Sequence, residues 1–237
     1  FPGGGFDTPK PPRLIKRMMR IATDSDSIVL DFFAGSCSTA QAVLELNREE
    51  GTNRRFIMVQ LPEPTNEADF STIAEIGRER IRRVIARMQD ETEGRLDFHP
   101  NKDLGFKSYR LDQSNYKPWQ DVTSGDVGQI EMTFEHFETP LVEDWQRSDL
   151  LTEILLIEGF PLDSTVARQR QFVHNQVDLV TSDFHEHRLL VCLDETIAPE
   201  TIARLNLAER DVFVCLDAAL SDQAKVRLSD TGNIHVI

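Results

Sequence analysis

Long apolar runs are missing from this 237-residue chain. No window of about 18 uncharged apolar residues occurs, so no membrane-spanning helix is predicted, and no secretory signal is visible. Cysteine is scarce and odd in number. Cys37, Cys192 and Cys215 are far apart and no C-x-x-C pair occurs. A disulfide framework and a zinc site are therefore not expected, no metal ligands are assigned, and a reducing cytoplasm is the expected compartment. An excess of basic residues is lacking too. The net charge is −14, whereas nucleic-acid proteins neutralise phosphate with basic patches. That deficit is uneven: residues 1–95 carry 14 Lys/Arg against 15 Asp/Glu, and residues 96–237 carry 12 against 25. The second half is a poor candidate for wrapping DNA unaided. The chain opens at Phe1 rather than Met, and the expectation is a fragment or a processed product.

What is present alternates. Phe1 to Phe6 is a Gly-rich loop. Pro12 suits the first turn of a helix, and Leu14, Ile15, Met18, Met19 and Ala22 make its apolar face. Ser27 to Phe33 predicts a buried strand, Ala34-Gly35-Ser36 a tight turn, and Thr39 to Asn47 a helix. Gly51-Thr52-Asn53 breaks the chain before a second buried strand, Arg55 to Leu61, which Pro62 and Pro64 end. A long helix follows, with Phe70, Ile73, Ala74, Gly77, Ile81, Val84, Ile85 and Met88 at helical spacing and Thr72 with Glu75 as a capping box. Its outer face holds Arg78, Arg80, Arg82, Arg83 and Arg87, to be read either as a salt-bridged face or as a phosphate contact.

Helix, strand, helix, strand, helix predicts a parallel sheet. Two strands alone cannot bury both faces, so further strands are expected from sequence outside this chain. Beyond residue 95 the signals weaken. Gly105 to Leu111 is a candidate strand, Ser124-Gly125-Asp126 a loop, and Asp149 to Glu158 a helix closed by Gly159. Leu189-Leu190-Val191-Cys192-Leu193-Asp194 is echoed by Val212-Phe213-Val214-Cys215-Leu216-Asp217. With helices near 199 and 221–228 and a strand from Ile234 to Ile237, this predicts a second, smaller β-α-β-α-β unit. The expected domains are residues 1–95 and 96–237.

The chemistry concentrates in Ile28-Val29-Leu30-Asp31-Phe32-Phe33-Ala34-Gly35-Ser36-Cys37-Ser38-Thr39-Ala40. An apolar strand feeds a turn of small residues that opens a helix, which lets backbone N–H groups approach a ligand. Asp31 at the strand end can reach a ligand's ammonium group. This string resembles the S-adenosylmethionine loop of amino-methylating DNA methyltransferases. Phe6-Asp7-Thr8-Pro9-Lys10-Pro11 upstream resembles the motif that precedes that loop in the circularly permuted β group. Asn53 to Glu63, Ile76-Gly77-Arg78-Glu79-Arg80-Ile81-Arg82-Arg83, Leu104 to Lys107, Ser114 to Lys117 and Leu189 to Asp194 resemble type III restriction–modification methylases, in family order.

The resemblance implies an α/β fold: part of a Rossmann-like methyltransferase sheet in residues 1–95, with an accessory α/β unit in 96–237. It implies S-adenosylmethionine as cofactor. Asp31, Phe32 and the backbone of Phe33, Ala34, Gly35 and Ser36 would hold the methionine moiety. Lys10 and Pro11 would close over it, and Gln60 or Glu63 would bind the ribose hydroxyls. Two departures stand out: Cys37 where the family has Gly, and Ser38 where it has Thr. A Cβ at 37 is expected to crowd the loop or move φ out of the positive region, and a helix start could lower the thiol pKa, although a small packed residue is the simpler reading.

The larger departure is an absence. Holding an extruded adenine takes an Asp-Pro-Pro-Tyr type of motif, and no [D/N/S]-P-P-[Y/F/W] occurs. No catalytic residue is therefore assigned. The expectation is the C-terminal portion of a DNA adenine-N6 methyltransferase, inactive alone, working with DNA, a restriction (Res) subunit and a second methylase copy. The alternative is an interaction module with a degenerate cofactor loop. His185-Glu186-His187 reads as a solvated loop rather than a metal site, and Asp194 and Asp217 as turn caps.

Overall fold

The computed structural model describes residues 10–66, 68–91, 104–118 and 140–237. The fold is mixed α/β and divides into two compact units, Phe1–Tyr109 and Arg110–Ile237. The opening loop and Ser124 to Asp126 lie outside the described residues. No described helix is long and apolar enough to cross a membrane.

In the first unit the order is α1 (Pro12–Ala22), β1 (Ile28–Asp31), α2 (Ser38–Glu50), β2 (Arg55–Met58) and α3 (Ile73–Asp90). Pro12 opens α1, where a missing N–H costs nothing. Gly51, at φ 67°, ends α2 in the left-handed region that glycine adopts without a Cβ penalty. Thr72 and Glu75 form a complete capping box at α3. β1 and β2 pair in parallel, Ile28 opposite Arg55 through Asp31 opposite Met58.

One face of this two-stranded sheet carries the core. Val29 and Phe56 pack on Met19, Ala42, Val43 and Leu46. Phe56 and Met58 also meet Ala34, Cys37, Ala40, Leu44, Ile81, Val84 and Met88. The strands were expected to be buried throughout. Instead they alternate, and Ile28, Leu30 and Ile57 are about half exposed on the opposite face. The reason is the strand period of two: every described helix of this unit that packs on the sheet covers the same side. The apolar face of α1 is likewise narrower than its spacing implies, since Met19 is buried while Leu14 and Met18 are exposed. The candidate strand from Gly105 to Leu111 is not a strand. Leu104 and Phe106 pack against the α3 side of the core, where no described strand pairs with them.

The second unit holds α4 (Arg147–Ile157), β3 (Thr165–Arg168), β4 (Asp178–Thr181), β5 (Leu189–Cys192), α5 (Pro199–Arg204), β6 (Val212–Cys215), α6 (Asp222–Ser229) and β7 (Asn233–Val236). They build one sheet in the order β3-β4-β5-β6-β7. The β3–β4 and β4–β5 pairs are antiparallel, and the β5–β6 and β6–β7 pairs parallel. The echoed segments are the central parallel strands, and all their residues are buried, as continuous apolar runs covered on both faces must be. Leu150, Ile154, Leu155 and Phe160 cover one face; Ile197, Leu205, Leu207, Leu220 and Leu228 cover the other. Strands β3 and β4 were not expected from the sequence, because Thr-Val-Ala-Arg and Asp-Leu-Val-Thr are too short and mixed to stand out.

Candidate cofactor-binding turn

The site is built where β1 ends. Asp31 keeps its strand pairing: its carbonyl accepts from the Val59 N–H at 2.9 Å, and the Val59 carbonyl accepts from the Ala34 N–H at 3.1 Å. The chain therefore folds back across the end of the sheet. The Asp31 carboxylate caps this turn from inside. Oδ1 accepts from the Phe33 N–H at 3.2 Å and Oδ2 from the Thr39 hydroxyl at 2.6 Å. Gly35 and Cys37 both have positive φ, 52° and 57°, and the Cys37 N–H donates to the Ala34 carbonyl at 2.8 Å. Ser36, Cys37 and Ser38 are buried, and α2 starts directly after Cys37. Phe32 and Phe33 stand outside this turn, 63% and 82% exposed, with ring centroids 5.0 Å apart.

Two side chains from elsewhere brace the turn. Gln60 Oε1 accepts from the Gly35 N–H at 2.7 Å. Arg80, about two turns into α3, donates to Ser36 Oγ at 3.3 Å and to Gln41 Oε1 at 3.2 Å. The structure thus brings together Asp31, Phe33, Ala34, Gly35, Ser36 and Gln60, and adds Thr39, Gln41 and Arg80, which sequence reasoning missed. Gln60's amide oxygen is engaged within the turn. Glu63 is exposed, and its backbone carbonyl holds the N–H of Ile73 at the start of α3. Lys10 and Pro11 sit exposed at the start of α1, where the Pro11 carbonyl accepts from Leu14 and Ile15.

Cys37 is the small packed residue of the simpler reading, and neither the loss of positive φ nor a lowered thiol pKa is seen. Its φ stays positive despite the Cβ, so the turn is kept and the side chain is packed inward. Burial, reinforced by the nearby Asp31 charge, pushes its thiol up to about 11, against the opposing pull of Arg80 and Arg78. The helix start does not make it reactive.

The arginine face of α3 resolves into ion pairs: Arg83 with Glu79 at 2.8 Å and Arg87 with Glu45 at 2.9 Å, the latter tying α3 to α2. In the second unit His185, Glu186 and His187 form a loop with Glu186 exposed, but the two histidines are partly buried. Their rings sit 4.3 and 5.4 Å from that of Phe160, and His185 is stacked on it. Asp194 accepts from Arg147 at 2.9 Å and Asn175 at 3.0 Å, and Asp217 from Lys225 at 2.6 Å. These acids tie neighbouring segments rather than standing free. Among the described residues no group of three or more His, Cys, Asp or Glu is arranged to hold a metal ion.

A family model described as DNA methylase matches residues 2–86, the segment that contains this turn. Residues 2–86 thus match the DNA methylase family. Similarity extends beyond that segment. The chain is 34% identical over 188 residues to the StyLTI Mod subunit, a type III restriction-modification enzyme subunit of Salmonella typhimurium, covering 68% of this chain and 28% of that protein. It is 30% identical over 168 residues to the EcoP15I Mod subunit of Escherichia coli, covering 68% and 23%. It is 28% identical over 215 residues to the EcoPI Mod subunit of Escherichia phage P1, covering 83% and 31%. The chain spans about a quarter to a third of the length of the curated relatives it matches.

Proposed function

We propose that this chain supplies the S-adenosylmethionine-binding portion of a DNA adenine-N6 methyltransferase of the type III modification kind. The observation that carries the reading is the turn at the end of β1. A carboxylate, Asp31, sits beside two residues of positive φ, Gly35 and Cys37, at the start of a helix. Backbone N–H groups at such a helix entrance favour an anionic group, and the carboxylate favours an ammonium. The α-carboxylate and α-amine of a methionine moiety present that pair. Ser38 Oγ is buried here with no hydrogen-bond partner among the described residues, which supports a donor role toward a ligand. When bound, the cofactor supplies an electrophilic methyl group. The chain's own part is to hold and orient it: Asp31, Phe32 and the backbone of Phe33 to Ser36 around the methionine end, with Lys10 and Pro11 closing over it. With Gln60 Oε1 engaged by Gly35, Glu63 is the acid we assign to the ribose.

The sheet would be a partial Rossmann-like one. The half-exposed Ile28, Leu30 and Ile57 support the reading that other strands and helices of the working enzyme complete it, and with them the residues that hold the adenine. The cofactor part lies in residues 1–95, its compact unit running on to Tyr109 with Leu104 and Phe106 against its core, and the accessory α/β domain follows. We assign to the acidic second unit the contacts with a Res subunit and a second methylase copy, DNA being bound by the whole assembly; the relatives are Mod subunits of restriction-modification enzymes by name. The chain alone is inactive, because no Asp-Pro-Pro-Tyr type of motif is present.

One observation favours a second reading: Cys37 carries a Cβ in a left-handed conformation and Gln60 occupies the Gly35 N–H. An interaction module with a degenerate loop would show both. Calorimetric titration of S-adenosylmethionine into this chain separates the two. Saturable binding supports the cofactor reading; its absence both here and in a longer polypeptide that includes this chain leaves the interaction module. Methyl transfer to DNA by the 237-residue chain itself would refute the claim of inactivity.

A further inference from the structure

We infer that Gly77 is a positioning residue for the cofactor turn: the space left by its missing side chain is where Cys37 Sγ and the Gly35 carbonyl pack, so α3 sets the shape of the turn. The inference rests on the cofactor reading for its functional meaning and on packing alone for its structural content. Gly77 is buried inside an 18-residue helix, a place where glycine is less favourable than alanine. A glycine there needs a packing reason, and the structure supplies one. A Cβ built on Gly77 would lie 2.6 Å from Cys37 Sγ, 3.3 Å from the Gly35 carbonyl oxygen and 3.5 Å from Cys37 Cβ. The first distance is a clash, since non-bonded carbon contacts settle near 3.5–4.0 Å and sulfur is larger.

The neighbours leave little freedom. Cys37 is 6% exposed and is the one non-glycine residue of positive φ among the described residues. Its Cβ direction is set by that backbone, and its sulfur points into the glycine gap. One helical turn on, Arg80 holds Ser36 Oγ and Gln41 Oε1, so successive turns of α3 grip the residues on both sides of Cys37. The two departures from helix and turn chemistry, a glycine inside a helix and a cysteine at a glycine-type position, therefore explain each other. Adding a methyl at 77 pushes the turn by about 1 Å, given ordinary contact distances. Backbone donors that must meet a ligand at hydrogen-bond distance do not survive such a shift without loss.

The test uses two readouts on the 237-residue chain. The first needs no cofactor: the rate at which iodoacetamide alkylates Cys37, with buried Cys192 and Cys215 of the second unit as internal references. Gly77→Ala should raise the Cys37 rate roughly tenfold or more, as overpacking forces a buried side chain out of place, while Cys192 and Cys215 stay protected. The second is calorimetric affinity for S-adenosylmethionine. Gly77→Ala should weaken it about tenfold or more. The double variant Cys37→Gly with Gly77→Ala should recover most of it, because glycine at 37 removes the sulfur and accepts the positive φ. Unchanged Cys37 protection in Gly77→Ala overturns the packing claim. Unchanged affinity in Gly77→Ala, or failure of the double variant to recover it, overturns the positioning role. If Gly77→Ala abolishes the unfolding transition of the first unit, the double variant decides in the same way: restored folding supports the inference and continued unfolding overturns it. If the wild-type chain binds no cofactor, the failure belongs to the cofactor reading, and the alkylation rates still decide whether α3 shapes the turn.

Discussion

Replacing Asp31 by Asn tests whether this carboxylate serves the turn, the ligand, or both. Within the protein Asp31 makes two hydrogen bonds, one from the Phe33 N–H and one from the Thr39 hydroxyl. Asparagine keeps an acceptor for Phe33, and its amide can donate to Thr39 Oγ, so both contacts persist with one reversed in polarity. Each neutral bond contributes roughly 0.5–1.5 kcal/mol, so Asp31→Asn should change stability by less than about 1 kcal/mol. The proposed ligand contact is different. A charge-assisted bond to an ammonium is worth about 1.5–3 kcal/mol, which corresponds to a roughly ten- to hundredfold weaker affinity when the charge is removed. The assay pairs calorimetric titration of S-adenosylmethionine with thermal unfolding of the same samples. Thr39→Val is the complementary variant: it keeps the charge, removes one internal bond, and should cost about 1 kcal/mol of stability with a smaller loss of affinity. Wild-type affinity in Asp31→Asn would show that Asp31 is a turn cap and nothing more, and the reasoning would fail.

The remaining predictions concern the framework. Asp211 in the second unit is 3% exposed and accepts from the Ala208 N–H, the Arg188 N–H and the Arg188 guanidinium. Burial alone would raise its carboxyl, but the Arg188 side chain and these backbone donors outweigh that and hold it below the ordinary carboxylate value. A carboxyl depressed in the folded state contributes stability that is complete above the unfolded value of about 4 and fades as pH falls through the folded value. Asp211→Asn should therefore lower stability at neutral pH and flatten the acid limb of the unfolding curve; an acid limb as steep as wild type would refute the assignment. Thr72→Ala removes the side-chain half of the α3 capping box and should destabilise the first unit by about 1 kcal/mol, read as a lowered urea midpoint with an unchanged slope.

Much of this architecture was already legible in local pattern. The Asp31 turn, the Thr72–Glu75 capping box, the Gly51 helix end and the echoed runs at 189–194 and 212–217 each depend on residues close in sequence. Hydrogen-bond caps, positive φ at glycine and continuous apolar strands are local or near-local physics, so a reader of the sequence finds them. The family resemblance rested on the same stretches. What escaped were features made by distance. Strands β3 and β4 are ordinary four-residue segments, and they became strands only by pairing beside β5. The face of β1–β2 left open, the narrowing of the α1 face, and the stacking of His185 on Phe160 follow from which side other elements cover. The turn after β1 shows the division most plainly. Its residue types and order were determined by the sequence between Asp31 and Ala40. That Gln60 would brace Gly35, that Arg80 would reach Ser36, and that a glycine in α3 would receive the sulfur of Cys37 were decided only in three dimensions. Packing depends on the shapes brought together, and residues 25 to 44 positions apart carry no mark in the sequence of the neighbour they will meet.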